Sequence, residues 1–458
     1  MKRPAPMSEA LAPMTGRLGP RGLGLLVCLL LAQPLQSCGE AERGEAIVIW
    51  HSYRGAEQEA LGALVQAFNQ QEIRIAKARP GRRPIRVRLM QISFENLPNK
   101  ITNAVPRGHG PDLFVFAHDR LGDWASKGLV EPLGYWVGPE EAAQFVPKTL
   151  RAFEWDGRLY GLPLAYKSVA LFYNEDLIGQ TPPRTTAELI ERGRRFMEAR
   201  GKGYYGLVYE AADTYFHAPW LFGFGGRFLT PCAAGERPAG TCGGAPLPIH
   251  SPEAVRALRF ARRLAGPGGI AAPEANGQLV TSLFTSGRAA MAITGPWFLS
   301  DLKAAAKKGL LRYRVAPMPT ITEAMGRPAR PLLTVEGVFM SARSSRKAEA
   351  YRVMSALASD EAARLRVTGA RQLPASARVD RLLGNPQSSL YSRELAAFRD
   401  QLASTRLTPK TPFMRLVWEP YGQALAAAIG RGVDADEALG KAAADIERVL
   451  GACLERRR

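Results

Sequence analysis

Charged and aromatic side chains follow the apolar runs of this chain at several points. The clearest case is His118-Asp119-Arg120, which comes directly after the apolar run Leu113-Phe114-Val115-Phe116. A carboxylate and a guanidinium can each hydrogen-bond two adjacent hydroxyl groups, and a flat aromatic ring can cover the apolar C–H face of a sugar ring. Residue types of this kind at the end of a predicted strand favour a carbohydrate site.

Other residues of the same types lie at the ends of predicted strands or where the chain is predicted to pass between two lobes. Some of them have an ordinary structural interpretation as well. Trp297 and Trp418 could be core residues, whereas Asp119 and Asp213 could cap the helices that follow them. The candidates are Tyr53, Arg54, His118, Asp119, Arg120, Tyr166, Lys167, Asp213, Tyr215, Trp297, Glu336 and Trp418.

Signatures of catalysis are missing from the sequence. It has no Gly-Lys-Ser/Thr phosphate loop, no Gly-x-Ser-x-Gly elbow and no His-Glu-x-x-His motif. Its five histidines show no metal-ligand spacing, so we expect neither a metal nor a cofactor. Paired carboxylates for glycoside hydrolysis are not readable from spacing, which leaves an exported glycan-active enzyme as an alternative.

The amino terminus has the pattern of an export signal. An apolar run over 23–35 follows a basic region and is shorter than a membrane-spanning helix requires. Leu35-Gln36-Ser37-Cys38 resembles the bacterial lipobox, so Cys38 is the predicted lipid anchor, with 1–37 a lipoprotein signal peptide and 38–45 a tether. The chain would be exported to the periplasm or cell surface; an uncleaved membrane helix is the alternative.

The charge and the remaining cysteines constrain the partners. The formal net charge is +19, but export and the scattered arginines argue against nucleic acid, so attraction to anionic membrane surfaces is the expected side effect. Cys232 and Cys242 lie in a Gly/Pro-rich stretch and are predicted to form a disulfide in an oxidising compartment. A metal-binding cysteine pair is the less favoured alternative, because no histidine or second cysteine pair is near in sequence.

The order of the predicted elements indicates an α/β fold. Strands over 47–50, 85–89 and 113–116 alternate with helices over 56–69 and 97–104, which is typical of a doubly wound sheet with sites at the strand ends. The length of 458 residues favours two domains. Two extended runs over 160–174, joined by a polar step at 166–168, predict a strand that passes from one lobe to the other.

Four segments, in the same order along the chain, together carry a resemblance. They are PDLFVFAHDRLGDWASKGLVEPL (111–133), LPLAYKSVALFYNEDL (162–177), the Phe-x-x-Gly-x-x-Ala-Met…Gly-Pro-Trp pattern over 284–297, and the last segment with Pro412 and Trp418. The chain resembles the maltose/maltodextrin-binding proteins of the family 1 extracellular solute-binding proteins over nearly the whole region after the signal.

The resemblance implies a fold and a function. The fold would be periplasmic binding protein-like class II, with two α/β lobes joined by a multi-strand hinge. Lobe 1 would comprise 46–165 and 338–390, and lobe 2 would comprise 169–333 and 391–458, with hinges near 166–168, 334–337 and 390–392. The protein would be a monomer and no enzyme. It would capture maltose, maltodextrin or a related α-glucoside and deliver it to the permease of an ABC importer.

The resemblance also implies roles for individual residues. Asp119 and Arg120 would bond sugar hydroxyls and Phe116 would lie near the sugar. Tyr215, Trp297 and Trp418 would stack on sugar rings, and Asp213 stands where the family has a binding glutamate.

Three positions depart from the pattern of the maltose binders. Tyr53-Arg54-Gly55 replaces Asp-Lys, Lys167 replaces a glutamate, and Gly422 stands where an arginine is expected. The added cations open a second hypothesis, a binding protein for a glycerol phosphate or another anionic polyol.

Overall fold

The computed structural model describes residues 46–229, 247–309 and 311–455. The predicted signal, the tether with Cys38, and the Cys232–Cys242 disulfide lie outside the described residues. Among the helices that are described, none is long and apolar enough to cross a membrane.

The described chain alternates strands and helices throughout. The strands are β1 (Ala46–His51), β2 (Arg86–Gln91), β3 (Leu113–Ala117), β4 (Glu154–Trp155), β5 (Arg158–Leu159), β6 (Gly161–Lys167), β7 (Ala170–Asn174), β8 (Tyr205–Val208), β9 (Ala289–Thr294), β10 (Tyr313–Ala316), β11 (Thr320–Ile321), β12 (Arg327–Pro328), β13 (Leu332–Met340), β14 (Leu373–Pro374) and β15 (Arg406–Leu407).

The helices are α1 (Gly55–Lys77), α2 (Leu97–Ala104), α3 (Leu121–Ser126), α4 (Pro139–Ala142), α5 (Pro147–Leu150), α6 (Glu175–Ile178), α7 (Thr186–Arg200), α8 (Thr214–Gly223), α9 (Pro252–Ala265), α10 (Gly277–Thr285), α11 (Phe298–Lys307), α12 (Lys347–Ala358), α13 (Asp360–Ala370), α14 (Ala377–Leu383), α15 (Arg393–Gln401), α16 (Met414–Gly430) and α17 (Ala435–Glu455). Short 3-10 turns precede several of them, including His118–Arg120 before α3.

Two larger sheets organise these elements. Seven strands form the large sheet in the order β14-β6-β13-β3-β1-β2, with β15 paired to β13, and four strands form the small sheet in the order β10-β7-β9-β8. β1 runs parallel to both β2 and β3, whereas β13 runs antiparallel to β3 and β6. The parallel β1-α1-β2-α2-β3 unit agrees with the doubly wound order that the sequence predicts.

The chain passes from the large sheet to the small one within two residues, because β6 ends at Lys167 and β7 begins at Ala170. It returns in β13, a strand that is buried along its whole length and shifts register between Glu336 and Gly337. A Cβ atom on Gly337 would lie 2.2 Å from the Phe153 ring, so only glycine fits at this position.

Burial along each element follows the apolar pattern of the sequence. Leu61, Leu64 and Val65 form the buried face of α1 and pack with Val87 of β2. β3 is buried at all five positions, as expected for a strand in a sheet that is covered on both faces. One boundary differs clearly from the prediction: the first helix is expected over 56–69, but α1 continues to Lys77. Asp213 caps α8, which begins at Thr214.

Candidate ligand-binding cleft

A cavity of about 400 Å³ lies at the carboxyl end of β1, where the loop into α1 meets the end of β6 and the turn after β9. Open α/β sheets bind their ligands at such strand ends, and a volume of several hundred Å³ is typical of a small-molecule site. Its lining residues are Arg54, Gly55, Ala56, Glu57, Ala165, Tyr166, Lys167, Pro296, Trp297, Ser300, Glu336, Ala370, Arg371 and Gln372.

An ion pair forms one wall of the cavity. Lys167 Nζ donates a hydrogen bond of 2.6 Å to Glu336 Oε1, and the two residues lie on the neighbouring strands β6 and β13. Burial disfavours the charged form of Lys167, but the Glu336 carboxylate outweighs this effect and raises the pKa of the lysine. The cation that replaces a family glutamate is therefore neutralised by a carboxylate from the opposite strand.

Two polar residues that the sequence did not single out complete this wall. Gln372 Nε2 donates to Glu57 Oε1 at 3.1 Å and lies 3.5 Å from Glu336 Oε2, so its amide bridges two carboxylates. Burial, together with the nearby Glu336 charge, raises the pKa of Glu57 to about 7. Near neutral pH the Glu57 carboxyl can thus donate or accept a hydrogen bond, which suits a hydroxyl-rich ligand.

An aromatic pair flanks the other side. Trp297 is 43% exposed, lines the cavity, and lies with its ring centroid 6.4 Å from that of Tyr215. The indole ring folds back over Gly295, where a Cβ atom would lie 2.1 Å from it. A sugar ring can stack on an exposed indole while its hydroxyls bond to a polar wall beside it.

The Asp119–Arg120 pair lies beside the cavity and not in its lining. Burial raises the pKa of Asp119 to about 6, although the Arg120 guanidinium opposes this. Asp119 Oδ1 is buried and has no hydrogen-bond partner among the described residues. Asp119 does not cap α3, which begins at Leu121 with Arg120 as its cap residue. The nearby Lys167 ammonium also favours the ionised carboxylate.

His118 and Phe116 are interior residues. His118 Nδ1 accepts from Val335 N at 3.0 Å and Nε2 lies 3.0 Å from Thr408 O, while burial lowers the pKa of the ring to about 4. Phe116 is 3% exposed and stacks on Phe94 at a centroid distance of 4.7 Å. Both side chains fix the end of β3 instead of lining the cavity.

The start of α8 carries Asp213 and Tyr215. Asp213 Oδ1 accepts from Tyr215 N at 2.7 Å, so the carboxylate is the helix cap that the sequence allowed. Thr214 Oγ1 donates to Trp418 O at 3.1 Å, which ties α16 to this turn. The half-buried Trp418 ring packs near Phe228, with 6.3 Å between the two ring centroids. Trp418 is not part of the cavity lining.

The residues after β1 divide between surface and interior. Arg54 lines the cavity, but its side chain is 68% exposed. Its Nη2 atom lies 3.9 Å from Glu95 Oε2. Tyr53 is buried with its hydroxyl unpartnered, and the buried Arg366 of α13 has both terminal nitrogens unpartnered within the described chain. Burial lowers the pKa of Arg366, and the nearby Glu336 carboxylate opposes this effect.

Sequence reasoning therefore named Arg54, Tyr166, Lys167, Trp297 and Glu336, which the cavity brings together, and missed Glu57, Gln372 and Arg371. Glu57 follows a strand end by six residues, and this position was its available signal. Gln372 and Arg371 follow α13, which is far along the chain, so no local pattern marks them. Among the described residues, no group of three His, Cys, Asp or Glu side chains could hold a metal ion.

Three of the known proteins that are similar to this chain show the extent of the likeness. The maltotriose-binding protein of Pyrococcus abyssi is 29% identical over 62% of this chain and 55% of its own length. The galactooligosaccharide-binding protein of Bacillus subtilis is 23% identical over 91% of this chain and 94% of its own. The solved maltotriose-binding protein of Thermus thermophilus, bound with maltotriose, superposes with a TM-score of 0.73 at 25% identity, over 88% of this chain and 100% of that one.

A family match agrees with these likenesses. The family described as bacterial extracellular solute-binding protein matches residues 55–364, which include the cavity-lining residues of β6 and β13 and those that follow β9. The superposition confirms the predicted periplasmic binding protein-like α/β fold. Because the family and the relatives are solute-binding proteins, the prediction of a binding protein and not an enzyme is confirmed too. The chain belongs to the bacterial extracellular solute-binding proteins.

Proposed function

We propose that this protein captures a maltodextrin-type oligosaccharide in the cleft and delivers it to an ABC importer. The observation that carries the proposal is the pairing of an exposed indole, Trp297, with a wall of hydrogen-bonding groups from Lys167, Glu336 and Glu57 around one cavity. Stacking covers the apolar face of a glucose ring while carboxylates, the ammonium and the amide bond its hydroxyls.

The names of the similar proteins support a sugar as the ligand. The linkage of that sugar has to be determined by experiment. Two of them carry maltotriose in their names, and the third is named for galactooligosaccharides. The departures at Arg54 and Lys167 fall within the cavity lining, so they bear directly on which sugar is accepted. A short α-linked glucan is the ligand we expect first.

Ligand capture would involve closure of two lobes. The proposed lobes are 46–165 with 338–390 and 169–333 with 391–458, and the two sheets supply their frameworks. Trp297 follows a strand of the small sheet, whereas Glu336 belongs to the large one. A sugar that contacts both would favour the closed arrangement, because it binds that state more tightly than the open one.

Cys38 is the proposed lipid anchor, which would hold the exported monomer at the membrane beside its permease. The proposal rests on the lipobox-like Leu-Gln-Ser-Cys sequence and on the extracellular family. Mass spectrometry of the protein from its native membrane tests it. A diacylglyceryl-modified amino terminus at Cys38 is expected, and an unmodified Met1 would contradict it.

An anionic polyol such as a glycerol phosphate is the second candidate. Arg54 and Arg371 line the cavity and favour it. Against it, the Lys167 charge is already paired with Glu336, and Glu57 adds a second carboxyl to the same wall. An anion would have to displace or protonate these carboxylates, which makes the neutral sugar the better match.

Calorimetric titration with maltotriose, a galactooligosaccharide and glycerol 3-phosphate, each at low and high salt, decides between them. We expect maltotriose to bind with an affinity that salt hardly changes, since the ligand is neutral. No heat with either sugar, combined with salt-sensitive binding of glycerol 3-phosphate, would replace the sugar by the anion.

A further inference from the structure

A run of basic residues occupies the far end of the large sheet from the cleft. Between Ile73 and Arg88 the chain has no acidic residue, although Glu72 precedes the run and Glu95 follows it. The run covers the last turn of α1, the turn after it and the first half of β2. Its basic residues are Arg74, Lys77, Arg79, Arg82, Arg83, Arg86 and Arg88.

Most of these charges are free in the described part of the chain. Arg82 pairs with Glu72 at 2.9 Å, and that glutamate is shared with Arg352. The other six cations are exposed and form no ion pair with a described residue. Two partly exposed apolar side chains, Ile73 and Met90, flank the run. Exposed cations next to apolar side chains are the composition of surfaces that contact lipid headgroups.

The register of the sheet fixes where this surface lies. β1 and β2 are parallel, and Ala46 is the partner of Arg86 at their shared amino end. The carboxyl end of β1 leads into the cleft, roughly 17 Å away for a strand of this length.

Protection of the sheet edge explains only part of this pattern. β2 is an edge strand, and exposed charges on an edge prevent pairing with other chains. That role accounts for Arg86 and Arg88. It does not account for Arg74, Lys77, Arg79 and Arg83, which lie outside the strand on α1 and the following turn.

We infer that the basic segment 74–88 binds the anionic lipid headgroups of the membrane to which Cys38 is attached. The proposed anchor supplies the choice of partner, since Cys38 precedes Ala46 by eight residues and eight residues reach at most about 28 Å. Arg86 of the segment is the register partner of Ala46, where the tether joins β1. The seven cations of the segment outnumber the three glutamates of residues 38–45.

This contact has a physical advantage for an anchored binding protein. Electrostatic attraction to an anionic surface adds to the hydrophobic anchor, and each cation near the surface strengthens binding about fivefold. Because the basic segment and the cleft lie at opposite ends of β1, the contact leaves the cleft accessible.

Vesicle co-sedimentation tests the inference. Residues 45–458 pack as one compact unit and can be used without the anchor. Vesicles rich in phosphatidylglycerol should bind this protein more tightly than pure phosphatidylcholine vesicles, and the binding should weaken as salt rises. The triple variant Arg83→Gln/Arg86→Gln/Arg88→Gln should bind on the order of 100-fold more weakly.

A matched variant separates this segment from net charge. Arg194, Arg200 and Lys202 are exposed on and after α7, among glutamates of the same helix, so Arg194→Gln/Arg200→Gln/Lys202→Gln removes the same charge elsewhere. We expect the affinity of this variant for the anionic vesicles to fall by less than about threefold. Maltotriose titration of both variants should match the parent, so a failed vesicle result remains distinct from a failed sugar result.

Three outcomes would overturn the inference. They are equal binding to anionic and neutral vesicles, equal losses in the two triple variants, and a random duplex DNA that binds more tightly than the anionic vesicles at the same salt. The last outcome would identify the surface as a nucleic-acid site.

Discussion

Lys167 and Glu336 lie 169 residues apart in sequence, and their side chains meet at 2.6 Å on neighbouring strands of the cleft. The pair holds β6 and β13 in register near the point where the chain leaves the large sheet for the small one. Glu336 is 8% exposed, so neither charge is fully solvated. The pair therefore contributes both to the wall of the site and to the geometry of the proposed hinge.

Removing one member of this pair should destabilise the protein. Lys167→Met leaves the buried Glu336 carboxylate with the long Gln372 contact and the nearby Arg366, and we expect a loss of about 3 kcal/mol in the free energy of unfolding. A double-mutant cycle with Glu336→Gln, followed by urea unfolding, should give a coupling energy of about 1–3 kcal/mol. The exposed pair Arg256–Glu253 is the control and should couple by less than about 1 kcal/mol. Equal coupling in the two cycles would contradict a structural role for the buried pair.

Trp297→Ala should weaken maltotriose binding at least about tenfold, or ~1.4 kcal/mol, because stacking on the indole is lost. The free energy of unfolding should change little, since the ring is 43% exposed. Calorimetry and urea unfolding measure the two effects. Tyr135→Ala removes an aromatic ring that is 89% exposed outside the cavity lining, and it should leave the affinity unchanged. An unaltered affinity in the tryptophan variant would remove Trp297 from the site.

Gly295→Ala should reproduce much of the Trp297 defect without touching the indole itself. A Cβ atom at this position would lie 2.1 Å from the ring, so the ring must leave its place beside Tyr215. We expect a loss of affinity of about tenfold and a change in tryptophan fluorescence. Gly134→Ala is the matched control, because nothing lies within 4 Å of its added Cβ. Full affinity in Gly295→Ala would show that the ring's resting position is irrelevant to binding.

The raised pKa of Glu57 predicts a pH-dependent stability. The pKa of its carboxyl is raised to about 7 in the folded protein, whereas the ordinary pKa of 4.5 applies when the chain is unfolded. The contribution of the protonated Glu57 carboxyl to the free energy of unfolding is therefore fully present below about pH 4.5. It is lost as the pH rises towards 7. Glu57→Gln removes the dependence, so its free energy of unfolding relative to the parent should increase by ~2 kcal/mol between pH 5 and pH 7.5.

Urea unfolding at several pH values measures this difference. Glu59→Gln changes an exposed glutamate of the same helix and should follow the parent across the same range. A Glu57→Gln curve parallel to that of the parent would mean that Glu57 ionises in the folded protein as it does in the unfolded one.

Local patterns in the sequence were sufficient for the elements and for part of the site. The apolar run before His118 predicts β3, and the alternation of strands and helices predicts the α/β fold, because periodicity reflects which faces are buried. Asp213 has the residue type and position of a helix cap, and it caps α8. Trp297 follows a predicted strand directly, so its place at the cleft is a consequence of strand-end geometry.

The tertiary structure decided the interactions between distant segments. Spacing along the chain does not encode the register of β6 against β13, so Lys167 and Glu336 read as separate site residues until pairing joins them. Gln372 and Arg366 lie near the cleft because α13 packs on α1 and β14. This packing of a helix on distant elements is not visible in the local sequence. Phe116 is the opposite case, a residue that the sequence named but that does not line the cavity. Its type suits a sugar site, but it belongs to a strand that is covered on both faces and is therefore buried. The sequence determined the framework and the residue types, whereas packing determined which of their charges meet.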